Sequence, residues 1–398
     1  MSLEEQFLTD LEQYPDTVSI VHSYIKLGET MKALKKENYT DVCKEEQELR
    51  KSMEGINIEE LIERNFDTIL NGVIRKKDIL SFVNVLSYYY KDCQIIYNNF
   101  EKIVSAADKI GNLRDLRDLY IWIVHKPNGK EVFIENIDFI LGLEHPEAII
   151  DLIELVKGRN KELDVKIEKA LSSHSNGIAK VMLERASEDN QIDNYVDTLE
   201  FMIKEILKSE NKNYLDITRI AVGNGEFSFV YKIGDKILKV GSPRGEFKMP
   251  NHRRILQPLA RKAFRNRLGK TMACVEISEE VDTNIEQKDP EELYKLWKEL
   301  RDEGVIWTDV TWENVGRLKK KNIPSLNGEE MYVEPEAAGF KNKYKGKPLE
   351  KGELVILDTD FIFEENSPYL RWFNFGYAKS FEDRYKKENA LNKEEEER

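Results

Sequence analysis

The sequence predicts an α+β protein, with an all-α N-terminal helical domain followed by a compact domain that opens on an antiparallel sheet. Three observations carry that expectation. The chain has 398 residues, more than one core usually serves, so two domains are expected. Before Lys208 apolar residues recur at helical spacing, as in Leu152, Leu155 and Val156, or Val196, Leu199, Met202 and Ile203. After the polar stretch KSENKNY, from Lys208 to Tyr214, the period shortens to two in β-prone runs punctuated by Gly-Asn-Gly and Gly-Asp. The expected domains are therefore residues 1–210 and 211–398.

In the helical domain, the segments starting at His145 and His174 overlay at an offset of about 29 residues. Two readings stay open: stacked helix pairs of a solenoid that recruits a partner, or two amphipathic helices of a structural cap. The aromatic groups Tyr88, Tyr89 and Tyr90, and Tyr120 with Trp122, read as core packing before they read as a groove. In the second domain ITRIAVG, SFVYKIG and KILKVG form strands, and MACVEISEEV from Met272 forms another. A helix follows through Leu293, Leu296 and Leu300, ended by Gly304.

Composition bounds the function. Hydrophobic residues make up 40% and charged residues 34% of the chain, the balance of a folded globular protein. A net charge of -13 argues against a general nucleic-acid or anionic-membrane binder. Basic residues gather between Arg244 and Lys270, including Arg253, Arg254, Arg261, Lys262, Arg265 and Arg267, and read as a solvated face or as steering for an anionic ligand. Cys43, Cys93 and Cys274 are too scattered for a disulfide framework or a zinc site. His22, His125, His145, His174 and His252 show no ligand spacing and read as surface or capping residues. No leader and no membrane-length apolar run stands out, so a cytoplasmic protein is expected; an effector injected into a host cytosol would look the same.

One stretch carries chemistry directly. In VGNGEFSFVYKIGDKILKVG, from Val222 to Gly241, Gly223 and Gly225 bracket Asn224, so backbone amides can approach a polyphosphate without side-chain obstruction. Ser228 stands where a third glycine is often found, Val230 would roof a base, and Lys239 ends a strand. Downstream comes WTDVTWENVGRL, with Asp309 five positions before Asn314 and Glu313 alongside, and then ELVILDTDFIF, in which an apolar run leads to Asp358.

In this order the motifs resemble those of the protein-kinase-like superfamily, in a reduced, atypical form of the kind found among bacterial effectors. The resemblance implies a compact two-lobed kinase-like domain that uses ATP and magnesium. It assigns Lys239 to the α and β phosphates, held by a glutamate for which Glu246 is the candidate. It places the adenine against the strand after Met272, its polar edge read by backbone near Ile277 to Val281. Asp309 is the group that orients an acceptor hydroxyl and takes its proton, while Asn314 and Asp358, with Asp360 as the alternative, bind magnesium. The implied activity is phosphoryl transfer, to a serine or threonine of a protein in the first reading. A pseudokinase scaffold, a small-molecule acceptor and transfer of the nucleotide are the alternatives.

This chain departs from the family pattern at several places. Thr308 replaces the arginine that usually precedes the aspartate, Thr311 stands where a lysine usually lies near the γ-phosphate, and DTD replaces DFG. An insertion at about 319–353 is either a substrate-binding flap or a surface loop. The residues after Asp360 are too few for a full C-terminal lobe, so the helical domain is expected to supply what is missing and to recruit a protein substrate.

Overall fold

The computed structural model describes residues 3–14, 16–36, 57–90, 93–186, 193–220, 228–241, 252–256, 259–265, 271–319, 349–357, 362–365, 367 and 380–387. The protein combines helices with antiparallel sheets and has a helical N-terminal region. It divides into two compact units, residues 1–177 and 178–398.

The described part of the first unit contains helices and the 3-10 segment Pro146–Leu152, and no strand. Asparagines begin its helices: the side chains of Asn57, Asn112 and Asn160 accept from the backbone N–H of Glu59, Arg114 and Glu162, satisfying amides that have no partner within the helix. A second device recurs between consecutive helices. Asn65 Nδ2 donates to Leu61 O at 2.8 Å, Asn99 Nδ2 to Ile95 O at 2.9 Å, and Asn136 Nδ2 to Val132 O at 2.8 Å. His174 Nδ1 lies 2.8 Å from Ala170 O in the same relation. Each junction follows one helix and precedes the next, at intervals of roughly 35 residues, which is a helical-repeat length. The overlay from His145 and His174 does not match equivalent structures. The first of those segments forms the 3-10 turn Pro146–Leu152 and the short helix Ile153–Val156, whereas the second forms the continuous helix Ser175–Ala186. Tyr120 lies in the core as expected, but Tyr88 is exposed.

In the second unit, β1 (Ile217–Ile220), β2 (Ser228–Ile233), β3 (Lys236–Gly241), β4 (Ala260–Arg265) and β5 (Thr271–Glu279) form a sheet in the order β1-β2-β3-β5-β4, every neighbour antiparallel. The β2–β3 loop is Gly234-Asp235, and Gly234 has φ of +61°, a conformation that two-residue hairpins require and that side chains resist. Alternation sets the two faces. Tyr231, Ile233, Leu238, Val240, Val275, Ile277 and Phe264 are buried on one of them. The helix Asp193–Ser209 belongs to this unit, and Tyr195 stacks on Phe264 with ring centroids 4.7 Å apart. At the helix end, Glu210 accepts from Asp235 N at 2.9 Å and lies 3.4 Å from Lys236 Nζ.

Beyond β5 come β6 (Val281–Asp282), the helix Pro290–Asp302, β7 (Val305–Trp307), β8 (Val315–Leu318), β9 (Leu354–Ile356) and β10 (Ile362–Glu364). β6, β8 and β9 form one small sheet and β7 pairs with β10. Asp289 caps the helix by accepting from Glu291 N, Pro290 takes its first position, and Gly304 follows its end with φ of +80°. Leu293, Leu296, Trp297 and Leu300 turn inward to Trp307, Val315, Ile356 and Ile362, so one core anchors β7, β8, β9 and β10 together.

Candidate functional site

The hairpin register decides where Lys239 goes. Ile220 pairs with Val230, Val230 with Lys239, Lys239 with Glu276 and Glu276 with Arg261, and directly paired residues share a face. Ser228 pairs with Gly241 in the same register. The sequence-derived residues Val230 and Lys239 therefore occupy one face, opposite the buried apolar one. Glu276 was not legible as a site residue, because only the β3–β5 pairing sets it beside Lys239. Gly223, Asn224 and Gly225, which precede β2, lie outside the described residues, as does Glu246.

The loop after β7 brings the other pair together. Asn314 Nδ2 donates to Asp309 Oδ2 at 2.8 Å and to Asp309 O at 3.1 Å. Both bonds of the amide nitrogen go to Asp309, which holds the carboxylate and leaves Asn314 Oδ1 as a hard acceptor. The 3-10 turn Trp312–Asn314 closes the loop. Leu357 N donates to Asn314 O at 2.8 Å, and β8 pairs with β9 through Val315 and Ile356, so the strand leading to Asp358 is fastened to the residue that positions Asp309. Asp358 and Asp360 themselves lie outside the described residues. Trp307 and Thr308, just before Asp309, are buried. Arg317 grips Glu292 with two bonds of 2.8 and 2.6 Å, a paired geometry that holds β8 to the helix.

The basic segment divides differently from the sequence expectation. Arg253 Nε donates to Glu299 Oε1 at 2.7 Å, and Arg254 Nε to Glu299 Oε2 at 2.9 Å. Arg254 also lies 3.1 Å from Glu353. These two arginines are half-buried members of an ion-pair network rather than a solvated face, and Ala260–Arg265 is a strand. His252 is buried, contrary to its reading as a surface residue, while its Nδ1 accepts from Arg254 N at 3.1 Å in a capping contact, and its Nε2 lies 3.1 Å from Glu303 Oε2. Burial depresses the ring's basicity below the ordinary 6.5, against the opposing pull of Glu303 and Glu299. His252, Glu299 and Glu303 have the donor types of a cation site and lie within 4.8 Å of one another. Both Glu299 oxygens, however, are already taken by guanidinium groups, so the cluster is charge-balanced by the protein itself.

No family model, curated protein or solved structure matches this chain. No helix among the described residues is long and apolar enough to cross a membrane.

Proposed function

We propose that residues 211–398 form a two-lobed, kinase-like phosphotransferase that uses ATP and magnesium and acts on a serine or threonine hydroxyl. The observation that carries this reading is the Asp309–Asn314 loop: a carboxylate fixed by a side-chain amide whose own oxygen is left available, at the spacing of a kinase catalytic loop. Lys239 on the third strand of its sheet, with Val230 beside it on the same face, supports it further.

In this mechanism Asp309 accepts a hydrogen bond from the acceptor hydroxyl and takes its proton as the oxygen attacks the γ-phosphorus. Lys239 offsets charge on the α and β phosphates, and Val230 covers the base. Asn314, with Asp358 or Asp360, would hold magnesium: the amide and carboxylate oxygens are the hard donors this ion takes. When bound, the ion screens the phosphoryl oxygens and the leaving group. With threonine at position 311, the chain brings no lysine to the γ-phosphate from that place, so slow turnover is expected.

Transfer of labelled γ-phosphate to the chain itself and to a cell lysate tests the proposal. Asp309→Ala should lower transfer by about 10²–10⁴-fold, and Asn314→Ala should lower it as well by releasing that carboxylate. Nucleotide binding with no transfer by the native chain would replace this reading with a nucleotide-binding scaffold.

A further inference from the structure

Segment 252–256 is joined to β9 by backbone bonds. Leu256 N donates to Ile356 O at 2.9 Å and Ile356 N to Arg254 O at 2.7 Å, which makes one parallel bridge between Ile255 and Ile356. Ile255 is buried in the core that also holds Trp307 and Val310, on either side of Asp309. β9 therefore has two seams, with segment 252–256 along one edge and β8 along the other, where Ile356 pairs with Val315. One residue further on, Leu357 N donates to Asn314 O, and the Asn314 amide holds Asp309. A displacement of segment 252–256 thus reaches the Asp309 loop through a single strand.

One side chain closes the turn that presents this segment. Arg254 N donates to His252 Nδ1 at 3.1 Å, the bond an asparagine side chain makes to the amide two residues on. A backbone N–H can only donate, so Nδ1 carries no proton, and the proton of the neutral ring sits on Nε2, 3.1 Å from Glu303 Oε2. A second proton has only Nδ1 to bind. There it would face the N–H of Arg254, donor against donor, in a ring that is 2% exposed, and it would add positive charge beside Arg253 and Arg254. Glu299 and Glu303, from the helix Pro290–Asp302, pull the other way, and Glu353, just before β9, meets Arg254. Burial is the largest influence and, with the two arginines, holds the ring's basicity below the ordinary 6.5.

We propose that His252 is a proton-operated latch for the Asp309 loop. Neutral, the ring closes the turn that sets Arg254 O on Ile356 N and the Arg254 guanidinium on Glu299. Charged, it gives up the bond from Arg254 N, and the seam between segment 252–256 and β9 opens. His252 is a positioning residue that acts through Arg254, β9 and Asn314. The latch itself needs only these bonds, while its effect on activity, a loss of transfer in mild acid, rests on the phosphotransferase reading. The folded value lies below 6.5, so the open form takes the proton more readily, and each pH unit from 6.5 down to the folded value favours opening by up to about tenfold.

Amide hydrogen exchange of the full chain from about pH 8 to about pH 5, corrected for intrinsic rates, tests the latch at Leu256, Ile356 and Leu357. Protection there should fall by up to about tenfold per pH unit below 6.5, while the amides of β2 and β3 hold. His252→Asn, whose side-chain oxygen can accept from Arg254 N and does not titrate, should keep the protection and abolish the fall. Glu303→Gln, at an exposed position, removes a charge that favours the protonated ring and should move the fall to lower pH. Labelled γ-phosphate transfer at saturating magnesium-ATP should drop more steeply in acid for the native chain than for His252→Asn, with the same KM for ATP in both. Protection that is flat with pH, that falls alike in the native chain and His252→Asn, or whose fall Glu303→Gln leaves in place overturns the latch whether or not transfer is seen. A fall removed by His252→Asn with no transfer by either chain at any pH keeps the latch and removes the phosphotransferase reading. Transfer with the same acid limb in both chains removes the hold of His252 on Asp309 and keeps that reading.

Discussion

The more buried acids of the two units behave in opposite ways. In the helical unit Glu147 is 3% exposed, and burial pushes its carboxyl above the ordinary 4.5 despite His145 and His174 nearby. Burial raises Asp108 in the same way. In the second unit burial would also raise Glu299 and Glu280, but direct bonds reverse the outcome. Arg253 and Arg254 hold Glu299 below 4.5, and Lys232 and Lys319 do the same for Glu280. The first unit thus holds acids whose carboxyls are pushed up by burial. The second keeps fixed negative charges, each matched by a cation, around the segments that position Lys239 and Asp309.

The sharpest way to break this contrast is Glu299→Ala, which removes the carboxylate that Arg253 and Arg254 share and leaves Arg254 with Glu353. It should cost about 3 kcal/mol in chemical denaturation, with exposure concentrated in residues 252–256 and β9. A loss under half that size would mean that solvent already neutralises the arginines.

Acidification should separate the units by sign. The folded value of His252 is lowered, so the stability from its neutral ring is complete above 6.5 and is lost as pH falls through the folded value. Glu299 and Glu280 add stability that is complete above 4.5 and likewise lost on acidification. Glu147 and Asp108 hold their protons to higher pH when folded, so the penalty for ionising them is relieved as pH falls through those raised values. Hydrogen exchange compared at about pH 7.5 and about pH 5, a window that reaches below 6.5 but not below 4.5, should show protection falling around His252 in the second unit and holding or rising around Glu147. Parallel loss in both units would refute the contrast.

A smaller effect belongs to Glu147→Gln. Removing a buried charge without changing shape should leave the helical unit unchanged or more stable by about 1 kcal/mol at neutral pH, measured by thermal melting. Smallest is Gly304→Ala, which forces φ of +80° on a side chain and should cost about 1 kcal/mol or less. Its effect should be confined to the second unit.

Much of the second unit was legible because its strands alternate and its turns carry glycine. SFVYKIG and KILKVG are β2 and β3, and Gly304 stops the helix where its position implies. β4 was missed because ARKAFR reads as charge, although Ala260 and Phe264 alternate into the core. β7 and β10 are too short to signal themselves and exist through pairing with each other. In the candidate site, the Asp309–Asn314 spacing was legible, but the contact between the two side chains was not, because it depends on the turn Trp312–Asn314. The Glu299 clamp joins segments far apart in the chain, which local pattern cannot reveal. In the helical unit, the recurrence at Asn65, Asn99, Asn136 and His174 escaped notice because one polar residue per repeat is a faint signal and His174 replaces the amide.

The pairing of Val230 with Lys239 makes the hairpin sensitive to parity. Residues added at the Gly234-Asp235 tip would lengthen the loop and leave the ladder as it is. One residue gained or lost between Lys236 and Lys239 would turn the lysine into the apolar layer and bring Leu238 or Val240 out in its place. At the tip, the positive φ of Gly234 and the bond from Asp235 N to Glu210 limit what can change, whereas a frame change inside the strand would remove the cation and the core together.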